Sequence, residues 1–163
     1  GALKVLKVIL GYDYLWNNIR VLGGAYGCMS LFMRTGEAYL VTYRDPHINN
    51  SIKVFDASAA YVKKFDVDRR DMTKFIIGTV SDMDTPLNPK AEGLRSLSAF
   101  MGNIDQNDVQ KERDEVINCT AKDIRALAPY LEDIMKENNL CVVGSEEKIN
   151  DNKKLFKKVI NLL

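Results

Sequence analysis

The sequence predicts an α+β fold, in which a mainly antiparallel sheet carries its helices on one side. Two observations support this prediction: the main strand patterns lie together as one β-hairpin, and the helical patterns lie together before and after it. Only three strand patterns occur in 163 residues, so we expect one or more strands to be missing on the N-terminal side. We find no internal repeat or low-complexity linker and predict a single domain over residues 1–163.

The first predicted element is a helix over residues 3–19, because apolar residues recur there at near-helical spacing. Gly11 is a weak point within it, since glycine lowers helix stability. The pair Gly23-Gly24 ends the helix and begins a turn.

The hairpin is the clearest β pattern in the chain. Its strands are predicted at residues 26–34 and 38–44, joined by the turn Thr35-Gly36-Glu37. The sequence Asp45-Pro46 ends the second strand, because proline cannot continue it.

Five helices and two short elements follow. The helices are predicted from Asn49 or Asn50 to Phe65, from a cap at Asp68 to Pro86, after Pro89, after a cap at Asp105, and from Thr120, which forms a capping box with Asp123. A short apolar strand at residues 140–144 and an amphipathic helix at residues 150–163 complete the pattern.

Composition argues against several classes of function. The formal net charge is +1, so the chain has no strong attraction for nucleic acid or an anionic membrane surface. No apolar run approaches the roughly 20 residues that a membrane-spanning helix needs. Three widely spaced cysteines favour reduced thiols over a disulfide framework, and a single histidine, His47, cannot build an ordinary zinc site.

The stretch between the first helix and the hairpin contains the most suggestive polar residues. Arg20, Gly23, Gly24 and Tyr26 lie within seven residues. One interpretation is structural, with the glycines ending the helix and Arg20 near its C-terminus. The other is a peptide-binding edge, because a guanidinium and a phenol donate hydrogen bonds while glycines let another backbone approach.

Six motifs resemble one known family, in the order in which that family carries them. They are YLWNNIRVLGGAYG (14–27), YRDP (43–46), FIIGTVSDMDTPLNP (75–89), GLRSLSAF (93–100), ERDEVINCTAKDIRALAP (112–129) and CVVGSEEKI (141–149). Together they resemble the C-terminal domain of presequence-protease-type zinc metallopeptidases, which belong to the insulinase/pitrilysin superfamily.

This resemblance implies a fold and an activity. Full-length members have four related domains, each a ferredoxin-like α+β repeat, paired into two halves that close around an unfolded peptide. The N-terminal half binds zinc through an H-x-x-E-H motif, which this chain does not contain. We therefore expect the zinc cofactor in that half, none in this fragment, and no activity for the fragment alone.

The resemblance also implies roles for particular residues. An arginine and a tyrosine six positions apart complete the active site from the C-terminal half, and they correspond to Arg20 and Tyr26, which would stabilise the substrate and its oxyanion. Gly23 and Gly24 are expected to bind substrate. Leu22 departs from the pattern, because many relatives carry a basic residue there.

Partners and location follow from the same resemblance. The expected partners are unfolded peptides and the N-terminal half of the same polypeptide, without nucleic acid or membrane. We expect a cytoplasmic protein, with the mitochondrial or plastid matrix as the alternative.

Two other functions stay open at this point. The chain could be a peptide-binding or scaffolding domain of a relative that has lost the zinc motif. An RNA-binding sheet is suggested by Gly24-Ala25-Tyr26-Gly27, but the near-neutral charge argues against it.

Overall fold

The computed structural model describes residues 1–161 and confirms the α+β fold. Within these residues an N-terminal helix precedes the hairpin and the other helices follow it. The elements are α1 (Ala2–Ile9), β1 (Gly27–Phe32), β2 (Ala38–Tyr43), α2 (Ile48–Asp56), α3 (Ser58–Lys63), α4 (Arg69–Met83), α5 (Pro89–Met101), α6 (Gln106–Ile117), α7 (Ala121–Arg125), α8 (Ala128–Glu137), α9 (Glu146–Asp151) and a 3₁₀ turn at Lys153–Leu155.

The first helix does not stop at α1 but continues in a wider form. Its later turns, Leu10–Tyr14 and Trp16–Val21, are π-helical. The N–H of Leu22 accordingly donates to the carbonyl of Asn17, five residues earlier, at 3.0 Å. The predicted weak point at Gly11 therefore lies where the backbone widens rather than where the helix ends.

The hairpin has one packed face and one open face. Strands β1 and β2 pair antiparallel, with Gly27 opposite Tyr43 and Phe32 opposite Ala38. Ser30 is buried on the packed face, where its hydroxyl donates to the carbonyl of Lys7 at 3.4 Å. The other face is exposed and apolar, and it carries Met29, Leu31, Tyr39 and Val41. Helices thus cover one side of the sheet, as predicted.

The core forms where the long first helix packs on α4, α6 and α7, and it continues to α3 and α8, which pack against each other. Its fully buried side chains include Leu6, Ile9, Leu10, Leu15, Ile19, Val62, Val116, Ile124 and Leu131. The helix starts around this core follow their predicted signals. The side chains of Asp68 and Asp105 cap α4 and α6, and Thr120 with Asp123 forms the predicted capping box of α7.

Two predicted helices are broken. The helix expected up to Phe65 begins after His47 rather than at Asn49 or Asn50, and it is interrupted at Ala57. The helix expected from Thr120 divides into α7 and α8, because Pro129 fits only the first turn of a new helix.

The predictions for the C-terminal region were wrong. Residues 140–144 form no strand, because a strand needs a hydrogen-bonding neighbour and none of the described residues pairs with this segment. The predicted helix at residues 150–163 is replaced by α9, the 3₁₀ turn and an extended Phe156. Short helices without a packed face are marginal in water, which explains the loss. Residues 162–163 lie outside the described part of the chain.

A search of the described residues for membrane-spanning helices finds none with the necessary length and apolar character.

Candidate functional site

A tight turn brings Tyr26 back beside the last helical turn, where Arg20 lies. The N–H of Gly24 donates to the carbonyl of Arg20 at 3.0 Å, and the N–H of Ala25 donates to the carbonyl of Ile19 at 3.1 Å. The guanidinium carbon of Arg20 consequently lies 5.4 Å from the centre of the Tyr26 ring. The two residues predicted as the site are therefore neighbours in space.

The two glycines both have a local structural reason. A Cβ on Gly23 would lie 2.5 Å from the carbonyl oxygen of Ile19, so only glycine fits this helix end. Gly24 has a φ of +75°, a left-handed conformation that glycine adopts without strain. Gly23 is buried and Gly24 is exposed. Their predicted contact with substrate stays a prediction.

Trp16 is the first residue of the site that the sequence analysis missed. Its ring centre lies 4.5 Å from the guanidinium carbon of Arg20. The two residues are four positions apart on the same helix, which places their side chains on one face. This spacing was visible in the sequence.

Arg44 and Tyr43, at the end of the hairpin, were also missed. The guanidinium carbon of Arg44 lies 5.7 Å from the Tyr26 ring centre and 5.3 Å from that of Tyr43. The rings of Tyr26 and Tyr43 meet edge to face, with centres 5.9 Å apart. A hairpin centred on Thr35-Gly36 places Tyr26 opposite Arg44, so counting residues from the predicted turn could have found both.

We call Trp16, Arg20, Tyr26, Tyr43 and Arg44 the aromatic–arginine cluster. Cations over aromatic faces attract the ring electrons, so the contacts hold the side chains in place. Among the described residues, neither arginine forms an ion pair and the Tyr26 hydroxyl has no hydrogen-bond partner. Tyr26 is 61% exposed. The cluster therefore presents hydrogen-bond donors that no part of the described chain uses.

The thiol of Cys28 is close enough to the cluster to be affected by the charge of Arg20, yet its pKa is raised. Burial raises the pKa of Cys28; the charge of Arg20 acts in the opposite direction, and that of Asp45 adds to the rise. A raised pKa favours the thiol over the thiolate, which is the form that attacks readily.

Other polar residues do not form a second centre. His47 is exposed and precedes α2, and its backbone N–H donates to the carboxylate of Asp45 at 2.8 Å. Within residues 1–161, no three His, Cys, Asp or Glu side chains come together as a metal site would require. Surface depressions of about 490 and 270 Å³ lie along α6 and beside the end of α4, and no cluster residue lines them. The cluster lies on open surface.

Comparison with known proteins identifies the family. The family model described as "PreP C-terminal domain" matches residues 1–146. The chain is 45% identical over 163 residues to "Protein HypA" of Clostridium perfringens, which covers 100% of the chain and 17% of that protein. It is 30% identical over 152 residues to "Presequence protease 1, chloroplastic/mitochondrial" of Arabidopsis thaliana, covering 92% of the chain and 14% of that protein.

A third relative is the mitochondrial presequence protease of Candida albicans, 31% identical over 157 residues, or 94% of the chain and 15% of that protein. The chain thus spans only 14% to 17% of these relatives' lengths. Because the family match extends over nearly the whole chain, this chain belongs to the family of C-terminal domains of presequence-protease-type peptidases.

Proposed function

We propose that this chain is the substrate-binding C-terminal portion of a zinc metalloendopeptidase that degrades unfolded peptides inside a closed chamber. In this proposal Arg20 and Tyr26 bind the peptide and stabilise the oxyanion that forms at the cleaved bond. The observation that carries it is the arrangement of these two side chains, which lie together with donor groups that no described residue uses.

The chemistry needs donors that are already aimed at the reacting oxygen. A carbonyl that is attacked by water gains negative charge on its oxygen, and hydrogen-bond donors fixed in advance lower the energy of that state. A guanidinium offers several donors in a planar fork, and a phenol offers one. Contacts of Arg20 with Trp16 and Tyr26 support this role, because they restrict both side chains before a substrate arrives.

Zinc belongs to another part of the polypeptide in this proposal. The described residues of this chain do not fit a zinc site, since no group of three possible ligands converges. This chain therefore takes no part in holding the metal, and its proposed roles are to bind the peptide and to stabilise the oxyanion. The fragment alone would be inactive, and its partner would be the N-terminal half of the same polypeptide.

The turn next to Arg20 is the proposed path of the peptide backbone. Gly24 is exposed, so an extended peptide can pass close to it, whereas Gly23 lies beneath and shapes the turn. Neither a nucleic acid nor a membrane is needed as a partner.

The location of the protein is proposed from its relatives. The names of the Arabidopsis and Candida proteins include mitochondria and chloroplasts, which supports the organellar alternative over the cytoplasm. The name of the Clostridium protein carries no location.

The test replaces Tyr26 by phenylalanine in the full-length protein. Loss of one such donor typically raises the barrier by about 3 kcal/mol, so we expect kcat on an unstructured peptide to fall roughly a hundredfold or more. Zinc content, measured by atomic absorption, is expected to stay at the parent level.

The matched control is Tyr39→Phe, because Tyr39 is a similarly exposed tyrosine on the same hairpin but outside the cluster. This variant is expected to cleave at the parent rate. An unchanged kcat for Tyr26→Phe would contradict the proposal. A parent protein that binds peptide without cleaving it would favour a non-catalytic peptide-binding domain instead.

A further inference from the structure

Arg44 has a backbone conformation that its side chain disfavours. Its φ is +49°, in the left-handed region, where residues other than glycine, asparagine and aspartate are uncommon. It lies between the end of β2 and the sequence Asp45-Pro46. Such a conformation persists only where the surroundings impose it, and it is often found at functional sites.

The surroundings of Arg44 fix the backbone on both sides. The N–H of Tyr26 donates to the carbonyls of Tyr43 and Arg44 at 3.1 and 3.3 Å. On the other side, the carboxylate of Asp45 accepts from the N–H of His47 and from a serine hydroxyl in α2. The ammonium group of Lys148 donates to the carbonyl of Pro46 at 2.8 Å. The loop is thus held by α2 and α9 as well as by the hairpin.

With this left-handed backbone, the Arg44 side chain lies in the cluster. Its guanidinium carbon lies over the rings of Tyr26 and Tyr43, and among the described residues it has no carboxylate partner. It therefore does not serve an ion pair that would stabilise the described fold. Among the described residues, its aromatic contacts are with Tyr26, whose phenol the proposed function uses, and with the adjacent ring of Tyr43.

We infer that Arg44 is a positioning residue for Tyr26, which holds the phenol so that its hydroxyl points to the substrate. This inference rests on the proposed function. The Tyr26 residue is mostly exposed, and among the described residues the side chains of Arg20, Tyr43 and Arg44 contact its ring. Removing one of these contacts leaves the ring more freedom, so fewer molecules hold the hydroxyl in the productive orientation.

The first experiment compares Arg44→Gly, Arg44→Asn and Arg44→Lys in the full-length protein. Glycine and asparagine accept the left-handed backbone but lack the cation, so we expect kcat and kcat/KM to fall together by roughly two- to fivefold, as for one exposed cation–π contact. Their melting temperatures are expected to equal or exceed that of the parent. Lysine keeps a cation over the ring and is expected to retain kcat within about twofold of the parent.

A merely structural role predicts the opposite pattern. It would lower the melting temperature of Arg44→Gly, whereas a rise in KM alone would mean that Arg44 binds the substrate equally in its ground and transition states. Either result, or a parent-like kcat for both Arg44→Gly and Arg44→Asn, would overturn the inference.

The second experiment is a double-mutant cycle with Tyr26→Phe. If Arg44 acts through the Tyr26 hydroxyl, Arg44→Gly changes kcat in the parent but has no further effect in the Tyr26→Phe protein. An equal loss in both proteins would mean that Arg44 contacts the substrate itself, and it would overturn the positioning role. A parent-like rate for Tyr26→Phe alone would contradict the proposed function, whereas a loss for Tyr26→Phe with silent Arg44 variants would contradict only this inference.

Discussion

Two regions of the molecule use arginine in opposite ways. On α6, Arg113 meets the carboxylate of Asp84 with both arms of its guanidinium, at 2.7 and 2.6 Å, and ties α6 to the end of α4. In the aromatic–arginine cluster, Arg20 and Arg44 lie over aromatic rings, and within the described residues no carboxylate neutralises them.

The difference concerns what remains available to a ligand. A carboxylate that binds a guanidinium bidentately occupies its donors and cancels its charge. An aromatic ring restrains the same group through its face and leaves the edge N–H groups free. Arg113 therefore stabilises the fold, whereas the cluster arginines are held in place while their N–H donors stay free. The following changes test this distinction.

The largest expected effect comes from Arg20→Ala compared with Arg113→Ala. In the full-length protein, Arg20→Ala should lower kcat about a hundredfold, because it removes a donor that we propose stabilises the oxyanion of the substrate. Arg113→Ala should keep the parent kcat and lower thermal stability slightly, since it breaks an exposed ion pair. Steady-state kinetics and thermal unfolding measure both quantities.

The distinction fails if Arg113→Ala lowers kcat as strongly as Arg20→Ala. Arg95→Ala is a useful further control, because Arg95 lies on α5 and forms no ion pair with the described residues.

An intermediate effect is expected from Gly23→Ala, which disturbs the turn that carries Arg20 to Tyr26. The added Cβ would lie 2.5 Å from a backbone oxygen, so we expect a loss of about 1–3 kcal/mol in the free energy of unfolding and a lower kcat. Gly93→Ala is the matched control. Gly93 lies within α5 with nothing within 4 Å of an added Cβ, and alanine should add up to about 1 kcal/mol of stability there.

Urea unfolding measures both glycine variants. Equal stability of Gly23→Ala and the parent would show that the turn tolerates a side chain and would weaken its assigned role.

The smallest expected effect is the loss, at low pH, of the stability that the ion pair of Asp84 with Arg113 contributes. Arg113 lowers the pKa of the Asp84 carboxyl below its ordinary value of 3.8, so the folded state holds this group charged more strongly than the unfolded state does. The stabilisation is present above that value and is lost as the pH falls through the lowered pKa. Asp84→Asn should therefore be less stable than the parent near neutral pH and equal to it in strong acid.

The cluster arginines should show no such acid dependence. Because no carboxylate pairs with Arg20 among the described residues, the stability difference between Arg20→Ala and the parent should stay constant between neutral pH and about pH 3. A difference that vanishes in acid would reveal a carboxylate partner and contradict the comparison.

Much of the fold could be predicted because its signals are local. The caps at Asp68 and Asp105 and the capping box at Thr120 depend on residues three positions apart, and all were predicted correctly. The contact of Arg20 with Tyr26 could also be predicted from the sequence, because the short glycine turn between them reverses the chain and brings the two residues together.

The remaining features depend on distant partners. Residues 140–144 have a strand-like composition, but composition alone does not supply the neighbouring strand that they need. Arg44 joins Tyr26 only through the register of the hairpin, and its left-handed φ depends on contacts with α2 and α9. The split at Pro129 was a local signal that the sequence analysis overlooked.

Because the helix before the cluster is widened, the number of residues in this segment determines where the Arg20 side chain lies. Across Leu10–Tyr14 and Trp16–Val21 the backbone hydrogen bonds span five residues instead of four. Deleting one residue would let the segment tighten to ordinary α geometry, in which each residue turns the direction of a side chain by 100°. The core leucines could repack, but Arg20 would leave its place over Tyr26. Changes in length should therefore be tolerated far less in this segment than substitutions on its exposed face.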